Sequence, residues 1–179
     1  METKENQGCV QIYCGDGKGK TTAALGLALR AAGHGWPVLV VQFLKSGPTG
    51  ELESLAKLES VQVLRGTEPL GFTFRMTPEE KAHCRQVQQG LWQQMQQLLS
   101  QTQPRLLVLD EVFGAISTGM LDEAQLMSLL QNRPQALEVV LTGRGPSPAV
   151  QELADYITEM RKVKHPFDRG LSAREGIEW

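Results

Sequence analysis

The sequence predicts an α/β protein with a mostly parallel central sheet and helices on both of its faces. Short apolar runs alternate with longer stretches of helical periodicity, which is the pattern of this fold class. Most of the runs are apolar throughout, as in strands that helices cover on both sides. The first run also leads directly into a glycine-rich loop and a helix, which is typical of an anion-binding α/β domain.

Length and composition are those of one globular domain. The chain has 179 residues, of which 41% are hydrophobic and 21% charged, and neither a disordered nor a fibrous protein has this composition. No internal repeat or linker divides the sequence. We therefore expect a single domain over residues 9–179, preceded by a flexible arm at residues 1–8.

Charge and hydropathy argue against several classes of partner. The 18 basic and 20 acidic residues give a net charge of -2, so the chain has no overall positive field for nucleic acid. Its apolar runs are far shorter than the about 20 residues of a membrane span, and its polar start does not resemble a signal peptide. The three cysteines and three histidines lack the spacing of a disulfide framework or a zinc site. These features predict a cytoplasmic protein.

Six apolar runs are the candidate strands of the sheet. They are Cys9–Cys14, Val38–Phe43, Val61–Arg65, Leu106–Asp110, Val139–Thr142 and Ile157–Val163. Parallel strands carry their ligands at their carboxyl ends, so the residues that follow these runs are the candidates for a functional site.

The helices between the strands have readable ends. Thr77, Pro78 and Glu80 form a predicted capping box, and the helix that follows ends before Pro104. This helix has an apolar face, formed by Val87, Leu91, Met95, Leu98 and Leu99. A further helix is predicted from Asp122 to the segment 132–134. Residues 164–179 are too polar and glycine-rich to predict an element, and a tail without regular structure is expected there.

The glycine loop after the first strand is the strongest functional signal. Glycines allow backbone amides to point at an anion, and the helix N-terminus adds partial positive charge. Lys20 is expected to reach phosphate oxygens, and a threonine hydroxyl can ligate magnesium. A dinucleotide fingerprint does not fit, because Lys20 and Gln42 stand where that motif has a small and an acidic residue. The candidate phosphate-binding residues are Gly15, Asp16, Gly17, Lys18, Gly19, Lys20, Thr21 and Thr22.

The start of this loop departs from the usual phosphate-binding motif. Cys14 occupies the position of the first glycine. Since cysteine resists the positive φ that glycine accepts, the bend is expected to move to the alternating glycines Gly15, Gly17 and Gly19.

Two further motifs are expected at the same edge of the sheet. Asp110 and Glu111 end an apolar strand, and with Thr21 they form a candidate magnesium site, directly or through water. Arg144 lies in a glycine turn after a later strand and is a candidate phosphate contact. Taken alone, the acidic pair is weak evidence, because strands often end in a solvated acid, and Arg144 alone fits a surface residue in a turn better.

The combined motifs closely resemble the P-loop corrinoid adenosyltransferases. The matching segments are GDGKGKTTAA from Gly15, VVQFLKS at 40–46, GFTF at 71–74, LDE at 109–111, LTGRG at 141–145, EMRKVKHPFDRG at 159–170 and GIEW at 176–179. The resemblance covers nearly the whole chain beyond its first eight residues. It implies a RecA-like P-loop fold. It also implies an enzyme that transfers the 5'-deoxyadenosyl group of ATP to the Co(I) of a corrinoid and releases triphosphate.

The resemblance also implies the cofactors, partners and roles. ATP and a reduced corrinoid are the substrates, with Mg2+ or a similar divalent ion, a homodimer and a flavoprotein electron donor. The phosphate chain is expected to lie reversed relative to ordinary ATPases. The expected catalytic residues are Lys18 and Lys20, which neutralise the leaving group, and Phe72 and Phe74, which cover the lower face of the corrin and displace its axial ligand.

Periodicity alone favours a simpler interpretation of Phe72 and Phe74, as core aromatics on a short strand. The family closing segment also contains Arg161, Lys164 and His165, to which spacing assigns no role. Two other functions stay open at this point. One is a conventional P-loop ATPase or small-molecule kinase, and the other is a nucleotide-sensing module without chemistry.

Overall fold

The computed structural model describes residues 7–68, residue 71 and residues 73–179, except for the side chain of Phe74. Its strands are β1 (Val10–Cys14), β2 (Val38–Gln42), β3 (Val61–Arg65), β4 (Leu106–Asp110), β5 (Glu138–Thr142) and β6 (Tyr156–Glu159). They form one sheet in the order β3-β2-β4-β5-β1-β6, and every pairing in it is parallel. The predicted parallel sheet is confirmed.

Six α-helices connect the strands in the described part of the chain. They are α1 (Lys20–Gly33), α2 (Gly50–Leu55), α3 (Pro78–Thr102), α4 (Val112–Ser117), α5 (Glu123–Asn132) and α6 (Pro148–Glu152). The predicted capping box of α3 is confirmed, because the Thr77 side chain accepts the N–H of Glu80 while the Glu80 carboxylate accepts the N–H of Thr77. Among the described residues, no helix is long and apolar enough to cross a membrane.

Helices cover both faces of the sheet, as predicted. On one face, side chains of α3, α4, α5 and α6 join the larger apolar core, which includes the buried Trp92 and Leu126. On the other face, α1 contacts the sheet through the buried Ala24, Ala28 and Ala31. Small side chains let a helix backbone approach a sheet closely, so α1 holds its N-terminus firmly against the carboxyl ends of the strands.

The last strand is shorter than predicted. It ends at Glu159, whose partner in the sheet is Cys14, the last residue of β1. Beyond that point β1 gives way to the glycine loop, and Met160 instead accepts a hydrogen bond from the N–H of Gly17 at 2.6 Å. The predicted extension to Val163 is wrong because no neighbouring strand remains to pair with it.

The segment around the two candidate corrin-contacting aromatics differs from the short strand that periodicity suggests. Residues Thr73–Arg75 form a 3-10 helix that leads into α3. Phe72 lies outside the described residues, and of Phe74 only the backbone is described. The roles expected for both aromatics therefore remain predictions.

The C-terminal tail is structured, contrary to expectation. A 3-10 helix forms over Pro166–Arg169, where the N–H of Phe167 donates to His165 Nδ1 at 3.2 Å. Further on, the N–H of Gly176 donates to the carbonyl of Trp179 at 2.7 Å. Polar composition did not reveal this order, because local turns and contacts with the glycine loop stabilise the tail rather than an apolar core.

Candidate functional site

A cleft of about 870 Å3 lies at the carboxyl edge of the sheet, where the strands predicted to carry ligands end. Its walls come from the glycine loop and α1, from the segments after β2, β4 and β5, and from the tail. Its polar and charged lining residues include Asp16, Lys18, Lys20, Thr21, Thr22, Lys45, Glu111, Arg144, His165 and Glu178.

A larger groove of about 970 Å3 lies elsewhere, between α3 and α5. It opens near the amino ends of β4 and β5, where Arg105 and Leu137 precede the strands. Neither the glycine loop nor any strand's carboxyl end contributes to it. We therefore place the functional site at the cleft on the carboxyl edge.

The glycine loop has the backbone geometry that only glycine adopts without strain. Gly15 and Gly19 have φ values of 102° and 111°, in the left-handed region. Gly17 is not among the positive-φ residues, so the bend uses two of the three expected glycines. Its lack of a side chain serves close packing instead, since a Cβ there would lie 2.6 Å from the carbonyl oxygen of Met160.

Lys20 lies within the loop and near a second cation. Its Nζ donates to the carbonyl oxygens of Gly15 and Gly17, each at 2.8 Å. Burial, and next the positive charge of Arg144, lower the pKa of Lys20. Two cations held this close together favour a bound anion, which would relieve their mutual repulsion.

Asp16 shapes the loop from its exposed side. Its carboxylate accepts the backbone N–H of Lys162 at 2.9 Å, and this hydrogen bond is the main reason that the pKa of Asp16 is lowered. Asp16 therefore connects the loop to the segment after β6. Thr22 is exposed at the start of α1 and lines the same cleft.

Lys18 contacts the tail rather than the loop. Its Nζ donates to Glu178 Oε1 at 3.0 Å and to the carbonyl of Ile177 at 3.4 Å. Glu178 also accepts hydrogen bonds from the side chain and backbone of Arg174, which, with Lys18, lower the pKa of Glu178 to about 2. A carboxylate of the tail thus lies beside a lysine that the sequence assigns to phosphate binding.

Asp110 is the centre of a buried polar network. It is completely buried at the end of β4, and four side chains donate to its carboxylate. The hydroxyls of Thr21 and Thr142 donate to Oδ1 at 2.9 and 2.7 Å. Gln42 Nε2 and Lys45 Nζ donate to Oδ2 at 3.1 and 2.6 Å. The order β2-β4-β5 brings Gln42 and Thr142 to either side of Asp110, because the carboxyl ends of the three strands are adjacent. Thr21 comes from the start of α1, and Lys45 from the segment after β2.

Glu111 differs from Asp110 in environment although the two are adjacent in sequence. It has a φ of 60°, and its backbone N–H donates to Thr142 Oγ1 at 2.9 Å. Its carboxylate lies against α4, where a Cβ on Gly114 would be 2.6 Å from Glu111 Oε1. Glu111 lines the cleft, and its predicted part in a magnesium site with Asp110 remains a prediction.

The donor set of this site suits magnesium. A carboxylate and a hydroxyl are the hard oxygen ligands that Mg2+ prefers, and Thr21 and Asp110 are in direct contact. A cation is already accommodated there, since Lys45 Nζ contacts both groups. Within the described residues no group of three or more His, Cys, Asp or Glu could hold a metal.

Sequence reasoning did not single out several residues of this network. Gln42, Lys45 and Thr142 all lie in quoted family motifs, but no role was assigned to any of them. Arg65 supports Gln42, donating to its Oε1 at 3.0 Å and to the carbonyl of Ser46 at 2.9 Å. One feature of the sequence could have identified two of these residues. Gln42 and Thr142 are polar residues that follow apolar residues at the ends of β2 and β5.

The family closing segment lies partly at the cleft. His165 lines it, whereas Arg161 and Lys164 are exposed nearby. The contacts described for these three side chains assign none of them a chemical role.

Comparisons with known proteins point to one family. Residues 6–179 match the family described as ATP:corrinoid adenosyltransferase BtuR/CobO/CobP. The chain is 37% identical over 181 residues to the corrinoid adenosyltransferase of Escherichia coli strain K12, covering 99% of this chain and 89% of that protein. It is 38% identical over 181 residues to corrinoid adenosyltransferase CobA of Salmonella typhimurium, with the same coverage. The corrinoid adenosyltransferase of Pseudomonas aeruginosa is 34% identical, covering 99% of this chain and 87% of that protein.

Proposed function

The chain belongs to the ATP:corrinoid adenosyltransferase family, and we propose that its cleft holds the triphosphate of ATP while the 5'-deoxyadenosyl group moves to a corrinoid. It is an enzyme that uses ATP and a corrinoid as substrates, as its family and relatives do. The two other functions considered from the sequence, a conventional ATPase or kinase and a nucleotide sensor, are not favoured by these relatives.

One observation supports the triphosphate assignment most strongly. Four cationic side chains, those of Lys18, Lys20, Lys45 and Arg144, line a single cleft beside the glycine loop. The loop adds backbone N–H groups and the N-terminus of α1. The cleft lining also contains carboxylates, so the support comes from where these cations lie and not from a net positive field. A chain of three linked phosphates could bind several of them at once.

The reaction requires stabilisation of a leaving group rather than a protein nucleophile. Co(I) of the substrate is itself the nucleophile, and the Co–C bond forms as the bond between C5' and the phosphate oxygen breaks. The electron pair of the broken bond stays on the departing triphosphate. In this proposal Lys18, Lys20 and Arg144 bind the developing charge, and this stabilisation of the transition state accelerates the reaction.

Mg2+ is part of the proposal. Thr21 and Asp110 would hold it, and Glu111 would contribute through water. When bound, the ion supplies positive charge that neutralises the triphosphate. The protein's part is to orient these oxygens, and the hydrogen bonds from Gln42 and Thr142 would hold the Asp110 carboxylate in position.

The corrinoid side rests on the sequence resemblance. Phe72 and Phe74 are proposed to cover the lower face of the corrin and displace its axial ligand. Loss of that ligand makes cobalt(II) easier to reduce. The segment 73–75, which contains Phe74, forms a 3-10 helix before α3.

The same resemblance supports three further proposals. The enzyme is proposed to be a homodimer, to receive electrons from a flavoprotein and to act in the cytoplasm. Size measurement in solution and reduction assays with a purified flavoprotein test the first two directly.

The decisive assay combines the enzyme, ATP and chemically reduced cobalamin. The expected products are a cobalt–carbon bond, seen in the absorption spectrum, and inorganic triphosphate in equal amount. Formation of ADP and phosphate without a cobalt–carbon bond would contradict the proposal.

Lys20→Ala sharpens this assay. Removing a charge that compensates the leaving group should lower turnover by about 100- to 1000-fold. Lys81→Ala is the matched control, because Lys81 is an exposed residue of α3 remote from the cleft lining. A near-normal rate for Lys20→Ala would show that this lysine does not stabilise the triphosphate.

A further inference from the structure

The buried carboxylate of Asp110 has no free position for a metal ion. A carboxylate offers about four lone-pair positions, and four donors already contact Asp110. A divalent ion can bind Asp110 directly only if one donor leaves. The identity of that donor decides when the metal can bind.

Three of the four donors are poorly placed to leave. Gln42 is buried and held by Arg65 through its own Oε1. Thr142 is buried and accepts the backbone N–H of Glu111. Thr21 is itself the second oxygen expected at the metal. Each of these groups would lose a second partner or a ligand by moving.

Lys45 differs from them in charge and in access. Its Nζ lies 2.6 Å from Asp110 Oδ2 and 2.9 Å from Thr21 Oγ1, so it contacts both oxygens that would hold the metal. Its side chain is 27% exposed and lines the cleft. A divalent ion on the same two oxygens would be repelled by the ammonium at close range. Lys45 is thus both an obstacle to the metal and the donor free to move.

The backbone beside Lys45 is built to hold it in this position. Leu44 has a φ of 53°, which is unfavourable for a residue with a side chain. Its N–H donates to Oε1 of the fully buried Gln88 of α3 at 3.0 Å. This contact between α3 and the segment after β2 stabilises the strained residue that precedes Lys45. The backbone of Lys45 therefore has a fixed position, while its side chain is partly exposed in the cleft.

The geometry points to Lys45 as an internal counterion that keeps divalent metal off Thr21 and Asp110 until a triphosphate is bound. Without nucleotide, the ammonium compensates the buried carboxylate, which would otherwise be costly to keep charged. A bound triphosphate offers the ammonium another anionic partner within the same cleft. Metal binding then becomes conditional on nucleotide. This inference rests on the proposed function, because it assumes that the cleft binds a triphosphate.

Binding of Mn2+ to the nucleotide-free protein tests the inference. The electron paramagnetic resonance signal of free Mn2+ measures binding, with no ATP or corrinoid present. Lys45→Met removes the charge and keeps the length of the side chain, and it should bind Mn2+ at least about tenfold more tightly than the wild type. Lys81→Met makes the same charge change on the exposed face of α3 and should behave as the wild type.

Two further measurements keep the test decisive. Lys45→Met combined with Asp110→Asn should lose the gained Mn2+ binding, since the ligand is then neutral. Should Lys45→Met not fold, Lys45→Gln is used, because its amide can still donate to Asp110 without a charge. Two outcomes would overturn the inference. In the first, the nucleotide-free wild type already binds Mn2+ tightly, and Asp110→Asn abolishes this binding. In the second, the wild type and the Lys45 variant bind Mn2+ with equal affinity.

Adding tripolyphosphate completes the comparison. The affinities of the wild type and of Lys45→Met for Mn2+ should then differ by less than about threefold, because the Lys45 ammonium of the wild type has moved to the phosphates. A difference that persists would contradict the inference. Failure of adenosyl transfer, in contrast, is seen in the cobalamin assay and leaves these metal measurements unaffected, so the two failures are distinguishable.

Discussion

Two lysine–carboxylate pairs flank the same cleft, and their environments differ sharply. Lys45 pairs with Asp110, whose side chain is 0% exposed and accepts four hydrogen bonds. Lys18 pairs with Glu178, and these side chains are 47% and 19% exposed. A buried carboxylate needs its partners, whereas an exposed pair is screened by water and salt. The buried carboxylate of Asp110 therefore always needs a compensating cation, whereas the exposed Lys18–Glu178 pair can separate at little cost.

The different sources of the two pairs support the same conclusion. Asp110, Gln42 and Thr142 end three adjacent strands, so the sheet determines the positions of the carboxylate and of two of its donors. Glu178 lies in the tail, beyond the last 3-10 helix, and is held mainly by Arg174 four residues away. The position of this carboxylate beside Lys18 thus depends on turns of the tail and not on the sheet.

The largest expected effect comes from Asp110→Asn. Asparagine offers one acceptor oxygen instead of two, so two of the converging donors lose their acceptor and face its NH2 group. We expect the free energy of unfolding to fall by about 3 kcal/mol or more. Urea denaturation measures this change. Glu111→Gln is the matched control on the next residue and should change it by less than about 1 kcal/mol. Similar losses for both variants would contradict the difference between the two carboxylates.

A smaller effect is expected from Glu178→Gln. Lys18 then loses the negative charge of its partner in the tail and is more available to phosphate. ATP should therefore bind about two- to threefold more tightly at low salt. Calorimetric titration measures the affinity, and the gain should shrink as ionic strength rises. Glu175→Gln removes a charge from an exposed neighbouring residue and should leave the affinity unchanged. Weaker ATP binding by Glu178→Gln would show that the tail carboxylate assists the nucleotide instead of competing with it.

The smallest effect concerns pH. The pKa of Glu178 is lowered from 4.5 to about 2, first by the side chain of Arg174, then by its backbone N–H and by Lys18. Because the folded pKa lies below the unfolded one, the contact stabilises the tail fully above pH 4.5 and is lost as the pH falls towards 2. Carbon NMR of the Glu178 carboxyl group should show a midpoint near 2.

A variant of each partner sharpens the pH measurement. Arg174→Gln should raise the pKa of Glu178 further than Lys18→Met does, because Arg174 is the larger cause of the shift. A midpoint near 4.5 in the unaltered protein would mean that the tail contact does not form in solution.

The sequence by itself determined the strands, the glycine loop and the start of the longest helix. Apolar runs located all six strands to within one or two residues, apart from the overextended end of β6. The capping box at Thr77 was readable because a helix cap is a contact between residues three apart. The glycine loop was likewise readable from positions that require glycine, as the φ values of Gly15 and Gly19 demonstrate. Patterns of this kind are local, so a linear sequence contains them directly.

Only the tertiary structure decided which side chains pair with one another in the cleft. Lys45 and Asp110 are separated by 65 positions, and Lys18 and Glu178 by 160, so no spacing in the sequence relates them. The adjacency of β2, β4 and β5 brings Gln42, Asp110 and Thr142 together, while the path of the tail brings Glu178 to the glycine loop. Hydrogen bonds act over a few ångströms of space whatever the distance along the chain. The identity of a donor's partner is therefore decided when the sheet assembles.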